Sequence, residues 1–192
     1  FVAWMSTLRP GGVRASDLAV FASTIAGTQR ALALDRYDPA DPATPADRTV
    51  TIIPVSPTGD DLASFDVDRL RAALEQIREG GFVFHIIDPT RTPVSVDVTI
   101  TPASAVEPTL VVQDVKAALE EALSPAWWGT TDGDPATWVE HDVLRSLDVA
   151  LIVATVPGVA SLGSITLNGG TADVPLAGPG ALIDATITVA IA

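Results

Sequence analysis

The sequence predicts an α+β protein of two small modules, each an antiparallel sheet covered by helices. Three observations predict it. Two helical stretches each run through a glycine into β-prone sequence, at Ile25-Ala26-Gly27-Thr28 and at Val156-Pro157-Gly158-Val159. After each junction come a β-rich segment, a loop and a second β-rich segment, which reads as a hairpin: Gln29 to Tyr37 with Thr49 to Ser56, then Ala160 to Asn168 with Ala181 to Ile191. Amphipathic helical stretches lie between them, and two small antiparallel sheets with helical cover bury such segments economically. The expected division is a lead-in linker at 1–13, a first module at 14–90 and a second at 91–192.

The elements follow in order. Ser16 is positioned to cap a helix, and Leu18, Phe21, Ala22 and Ile25 recur at helical spacing. Gly27 stops that helix by tolerating positive φ. Residues 29–37 read as a strand, with Ala31, Ala33 and Arg36 alternating around Leu32 and Leu34. Pro39, Pro42 and Pro45 with Asp38, Asp41 and Asp47 make a stiff, solvated loop. Val50, Ile52 and Val55 belong to the returning strand. Val67, Leu70, Ala73, Leu74 and Ile77 then form one face of an amphipathic helix that Gly80-Gly81 ends. Phe82 to Ile87 is a strand.

From Pro93 to Thr101 the alternation is clean, with Val94, Val96, Val98 and Ile100 on one side and Ser95, Asp97, Thr99 and Thr101 on the other. Thr109 is the expected cap of the next helix, whose apolar face is Val111, Val115, Ala118, Leu119 and Ala122. Residues 126–138 hold Trp127, Trp128 and Trp138 in an irregular stretch. Ser146 is the expected cap of a short helix from Leu147 to Val156, and the second hairpin follows.

Composition narrows the function classes. The 192 residues carry a net charge of −13 with one lysine, Lys116. Phosphate recognition needs a clustered basic face, so nucleic acid is not an expected partner, and the same charge opposes docking on anionic membranes. The longest apolar stretch, Val149 to Ala160, is too short to span a bilayer and contains Pro157. Without cysteine there is neither a disulfide nor a thiolate metal site. The chain begins with Phe1 and is expected to be a piece of something longer.

The residues that could carry chemistry do not assemble a mechanism. His85 lies in a β-prone run between Phe84 and Ile86, where a structural role is the expectation. His141 sits between Glu140 and Asp142, but strand neighbours point to opposite faces, so they are no dyad. Asp132-Gly133-Asp134 opens like a calcium loop, yet Glu140 falls short of the twelfth position that motif requires. Glu120-Glu121 and Asp60-Asp61 read as solvated charge, and Asn168-Gly169-Gly170 as a hairpin turn. No catalytic, cofactor or metal residue is assigned, and the chain is read as non-enzymatic.

The order of several short motifs supports a family resemblance. Ser16-Asp17-Leu18, Phe21-Ala22 and Gly27-Thr28-Gln29-Arg30-Ala31 resemble the helix-to-strand junction of the baseplate J-like family. Pro93 to Thr101, preceded by Asp88-Pro89-Thr90, resembles that family's next strand. Val111 to Leu123, with Pro125 and Trp128-Gly129, is similar to its later helix. Val156-Pro157-Gly158-Val159 with Leu162 to Leu167 resembles its last junction. The sequence departs from longer members in lacking the part that precedes these modules.

The resemblance implies a structural baseplate wedge component of a phage tail, bridging subunits in the ring around the tail hub. Its setting would be the virion tail baseplate, assembled in the host cytoplasm, or the baseplate of a phage-derived contractile injection system. Implied partners are other baseplate and tail proteins, further copies of the chain included, with no membrane insertion and no cofactor. Gly27, Pro157 and Gly158 are the structural junctions. Candidate interface residues are Trp127, Trp128 and Trp138, because aromatics are enriched at interface hot spots, and Asp38, Asp41 and Asp47 in the acidic loop. The tryptophans could instead plug the space under their own loop. A competing reading is a receptor- or glycan-binding tail module that uses the Trp-rich loop.

Overall fold

A computed structural model describes residues 14–78, 80–130 and 141–192. The linker at 1–13, Trp138, Glu140 and the Asp132-Gly133-Asp134 motif lie outside the described residues. The described chain divides into two compact units, one running to residue 89 and the other holding residues 90–129 with 141–192.

The first unit contains α1 (Ala15–Ser23), β1 (Arg30–Asp35), β2 (Thr49–Val55), α2 (Ser64–Ile77) and β3 (Val83–Ile86). Leu18, Phe21 and Ala22 of α1 join Leu70 and Leu74 of α2, Ala31, Val50, Ile52 and Leu62 in one core. Full burial of an Ile or Leu side chain contributes about 1.5–3 kcal/mol, so a few such residues outweigh the weak propensities of short helices. β2 is the central strand and is buried at every position. Its apolar run from Ile52 to Val55 suits burial on both faces, and the buried Thr51 hydroxyl is satisfied by Tyr37 O. Arg36 does not extend β1, because it turns to φ 57°.

The second unit contains β4 (Arg91–Pro102), α3 (Pro108–Ala122), β5 (Val143–Leu144), α4 (Ser146–Thr155), β6 (Val159–Leu167), β7 (Val174–Pro175) and β8 (Leu182–Ile191). The alternation of β4 appears directly in its burial: Val94, Val96, Val98 and Ile100 are buried, while Asp97 and Thr101 are exposed. Val111, Val115 and Leu119 of α3 and Val149 and Val153 of α4 are buried as well.

The fold is α+β, with sheets packed against helices, as the sequence indicates. Its strand pairing differs in two respects. Both three-stranded sheets are mixed, while the two-stranded β5-β7 sheet is antiparallel: β2 pairs antiparallel with β1 and parallel with β3, and β4 pairs antiparallel with β6 and parallel with β8. The second apparent hairpin is also split, because β4 lies between its arms in the order β6-β4-β8. Asn168 and Gly169 do make a tight turn, at φ 52° and 73°, with paired bonds between Leu167 and Gly170. That turn closes no long ladder. Asn168 is drawn to β4 instead, its Oδ1 accepting from Ser95 N at 2.8 Å and its N–H donating to Ser95 O at 2.9 Å.

Candidate functional site

The two junctions share more than a glycine. α1 follows Arg14 and α4 follows Arg145, which are the N-cap residues in place of the expected Ser16 and Ser146. In each helix an aspartate one turn on reaches back. Asp17 Oδ2 accepts from Arg14 N at 3.2 Å, and Asp148 Oδ2 accepts from Arg145 N at 3.2 Å. Such an acidic residue satisfies an orphan donor and complements the positive helix end. Likewise α3 is capped at Glu107, with Pro108 opening the helix, and the Thr109 hydroxyl lies 2.7 Å from the Glu107 carboxylate.

Glycines in the left-handed region follow both helices, Gly158 at φ 89° soon after Thr155 and Gly27 at φ 95° one turn beyond Ser23; α1 is closed by Thr24 and not, as expected, by Gly27. Space is short at both. A Cβ at Gly27 would lie 2.5 Å from the Asp66 carboxyl carbon, and one at Gly158 would lie 3.0 Å from Val111 Cγ2. Each junction therefore packs against the first turn of the other helix of its unit. At Gly27 that helix is also tied on, because Arg69 donates to Ala26 O at 2.8 Å and to Asp66 at 3.0 Å. Arg14, Asp17, Leu18, Ala22 and Gly27 recur at constant spacing as Arg145, Asp148, Val149, Val153 and Gly158. The arginine–aspartate part of this correspondence is visible in the sequence once the two glycines are aligned.

The acidic loop folds back on its own unit. Arg36 N donates to Thr49 O and Ala46 N to Arg36 O, closing its base. The Thr51 hydroxyl donates to Tyr37 O at 2.6 Å. Two of the three candidate carboxylates face cationic or titratable groups of the same unit. Asp47 pairs with Arg36 at 3.0 Å, and Asp38 lies 3.9 Å from His85 Nε2. Asp38 also accepts from Ala40 N, an Asx turn. Asp41 stands in the exposed part of the loop.

The candidate tryptophans separate. After α3, Trp127 N and Trp128 N both donate to Ser124 O, making one tight turn. Trp128 is buried at 8 % exposure among Leu123 and Ala126, whereas Trp127 is 37 % exposed. The Trp128 ring meets His141 at 5.3 Å, tilted by 58°. With Asp142, Val143, Arg145 and Asp148 they line a half-open cavity of about 260 Å³ at the start of α4. Asp148 is already committed to the Arg145 N–H. Among the described residues the lining offers a histidine and carboxylates but no hydroxyl or thiol nucleophile. Among the described residues no group of three or more His, Asp or Glu could hold a metal ion.

Arg30 is fully buried in β1, and desolvation pushes its guanidinium down to about 10. It remains protonated at neutral pH. Exposed apolar side chains escaped the sequence reading. Leu147 and Leu151 lie one turn apart on the outer side of α4, and Phe65 of α2 is covered by the Arg69 guanidinium at 4.6 Å. A helix that is apolar all round gives no periodic signal for which side is outward.

No family model matches the chain, and no curated protein matches it. Among solved structures the chain is similar to a chain of the anti-feeding prophage (AFP) baseplate, determined by cryo-EM with six-fold symmetrisation. The TM-score is 0.64 and the sequence identity 12%. The similarity covers 96% of this chain and 41% of that one. The chain therefore spans about two-fifths of the length of the structure it matches. At that identity the likeness establishes a shared fold.

Proposed function

We propose that the chain is a non-enzymatic structural component of a baseplate, in a phage tail or a phage-derived contractile injection system. The observation that carries this reading is the fold similarity to the AFP baseplate chain, which takes in both units and nearly every residue. The independent order of baseplate J-like motifs in the sequence agrees with it. In the finer form of the proposal the chain is a wedge protein that bridges subunits in the ring around the hub, and its partners are other baseplate proteins and further copies of itself.

Exposed apolar residues support an assembling role. Leu147, Leu151 and Leu110 are more than half exposed and would be covered in a complex. Of the described tryptophans, Trp127 is the one placed to meet a partner. The glycan-binding alternative is not favoured, since Trp128 is buried in its own unit and leaves no flat pair of rings. The test is localisation in assembled particles. A tagged chain should appear at the baseplate in averaged images, and its deletion should leave tails or sheaths without a baseplate. Complete baseplates assembled without it would sink the proposal.

A further inference from the structure

Three short stretches of the first unit return in the second, in a different order. Arg14 to Gly27 matches Arg145 to Gly158 at its arginine, aspartate, apolar and glycine positions. Val50-Thr51-Ile52-Ile53-Pro54 of β2 returns as Val98-Thr99-Ile100-Thr101-Pro102 of β4. Leu70-Arg71-Ala72-Ala73-Leu74-Glu75 of α2 returns as Val115-Lys116-Ala117-Ala118-Leu119-Glu120 of α3. The helix–glycine stretch comes first in one unit and last in the other.

The matching stretches also occupy matching places. β2 and β4 are both central strands. Each is antiparallel to the strand after the glycine, β1 or β6, and parallel to the last long strand, β3 or β8. Ile52 and Ile100 are fully buried on the covered face of their sheets. Both turn their carbonyls to the parallel neighbour, accepting from Ile87 N at 3.1 Å and from Ala192 N at 2.9 Å. Residues of opposite parity turn the other way: Val55 O accepts from Gln29 N beside β1, and Ser95 O from Asn168 N beside β6. Along a strand of L residues, side chain and carbonyl keep a fixed hand. The shared combination therefore gives both sheets the same hand. α2 and α3 follow the central strands and share one burial pattern. Leu70 and Leu74 match Val115 and Leu119 inside, and Arg71 and Ala72 match Lys116 and Ala117 outside. The same alignment sets Asp66 against Val111, the two residues nearest to Gly27 and Gly158.

We propose that the second unit is a rearranged copy of the first, its two helix-bearing pieces exchanged in chain order. The first unit runs α1-β1, then β2-α2, then β3. The second runs β4-α3, then α4-β6, then β8. What the second unit adds falls in the two connections that the exchange requires. β5 lies between α3 and α4, β7 lies between β6 and β8, and they pair with each other. Trp127, Trp128 and His141 belong to the first of these connections. The inference goes beyond the baseplate reading, because it rests on a comparison of the chain with itself.

Rearranging the whole chain tests it. Placing residues 124–168 ahead of residues 90–123 gives the second unit the order of the first. Glycine–serine joints of about fifteen residues have a mean reach of about 20 Å and serve as the new connections. This chain should keep the parent's near-ultraviolet circular dichroism and a single urea transition. A comparison chain has the same joints but places residues 124–158 ahead of 90–123, which parts α4 from β6. It should lose both signals. A cross-link reads the sheet directly, since the chain has no cysteine of its own. Asp97→Cys with Thr166→Cys, facing positions of β4 and β6, should form a disulfide in the parent and in the first rearranged chain alike. The reciprocal rearrangement, residues 49–78 ahead of 14–48, asks the same of the first unit and keeps the test decisive if one set of joints spoils folding. Failure of both rearrangements to fold, folding without the cross-link that the parent forms, or equal folding of the comparison chain overturns the proposal. None of these outcomes bears on the baseplate assignment, which particles test separately.

Discussion

Among the described glycines Gly27 meets the tightest space, and Gly158 shares its left-handed backbone. Each combines a left-handed backbone with a neighbouring side chain where a Cβ would go. Gly27→Val should lower stability by about 2 kcal/mol or more, since a β-branched residue resists that φ and meets Asp66. Gly80→Ala is the comparison: the backbone there is ordinary and nothing lies within 4 Å, so the change should be neutral or slightly stabilising. Thermal melts of the two variants check the contrast, and equal melting temperatures would contradict it. The tryptophans give a second test at this scale. In variants that keep one tryptophan each, acrylamide should quench Trp127 strongly and Trp128 weakly, in line with their exposures of 37 % and 8 %. Strong quenching of both would mean that Trp128 is not held as described.

Among the elements, β4 gives the sharpest asymmetry. Val98 is 2 % exposed and faces the covered side of its sheet. Val98→Asp should cost several kcal/mol by burying an unpaired charge. Thr99→Asp, on the opposite side, should cost less than about 1 kcal/mol. Urea titration of both measures the difference, and equal losses would mean the register is wrong. The short helices α1 and α4 depend on their reciprocal aspartates. Asp17→Ala and Asp148→Ala should each cost about 1 kcal/mol, the usual value of an N-terminal cap. Asp148→Ala should also remove a carboxylate from the cavity beside Trp128. Had the sequence reading been right about Ser16 and Ser146, their alanine variants would be the damaging ones.

For the molecule as a whole, acidic excess governs behaviour in solution. The described ion pairs, such as Arg71 with Asp68 and Lys116 with Glu120, are exposed and contribute little each. Repulsion among the surplus carboxylates is the larger effect. Raising salt from roughly 10 mM to 500 mM should therefore raise the melting temperature, because screening weakens the repulsion more than the pairs. A fall would show that the surface pairs dominate. A partner that buries acidic surface needs basic groups to do so, and Asp41 is the candidate of the acidic loop most available to it.

Local signals in the sequence determined the elements. Gly27 and Gly158 marked the turns between helix and strand because positive φ is a property of one residue's sterics, although α1 itself stops earlier, at Ser23. Val94, Val96, Val98 and Ile100 marked a covered face because a strand has a period of two. Helical spacing placed Leu70, Leu74, Val111, Val115 and Leu119 inward. Helix starts were misread at Ser16, Thr109 and Ser146, since several polar residues near one terminus compete and a neighbouring aspartate or proline prevailed. Strand partners were decided only by the tertiary structure. Asn168-Gly169 is the same turn whether its arms pair or not, and it took β4, more than sixty residues earlier in the chain, to separate β6 from β8. The burial of Trp128 beside exposed Trp127 was likewise decided by the packing around the start of α4. Both depend on groups remote in sequence that meet in space, and composition and periodicity hold no record of such meetings.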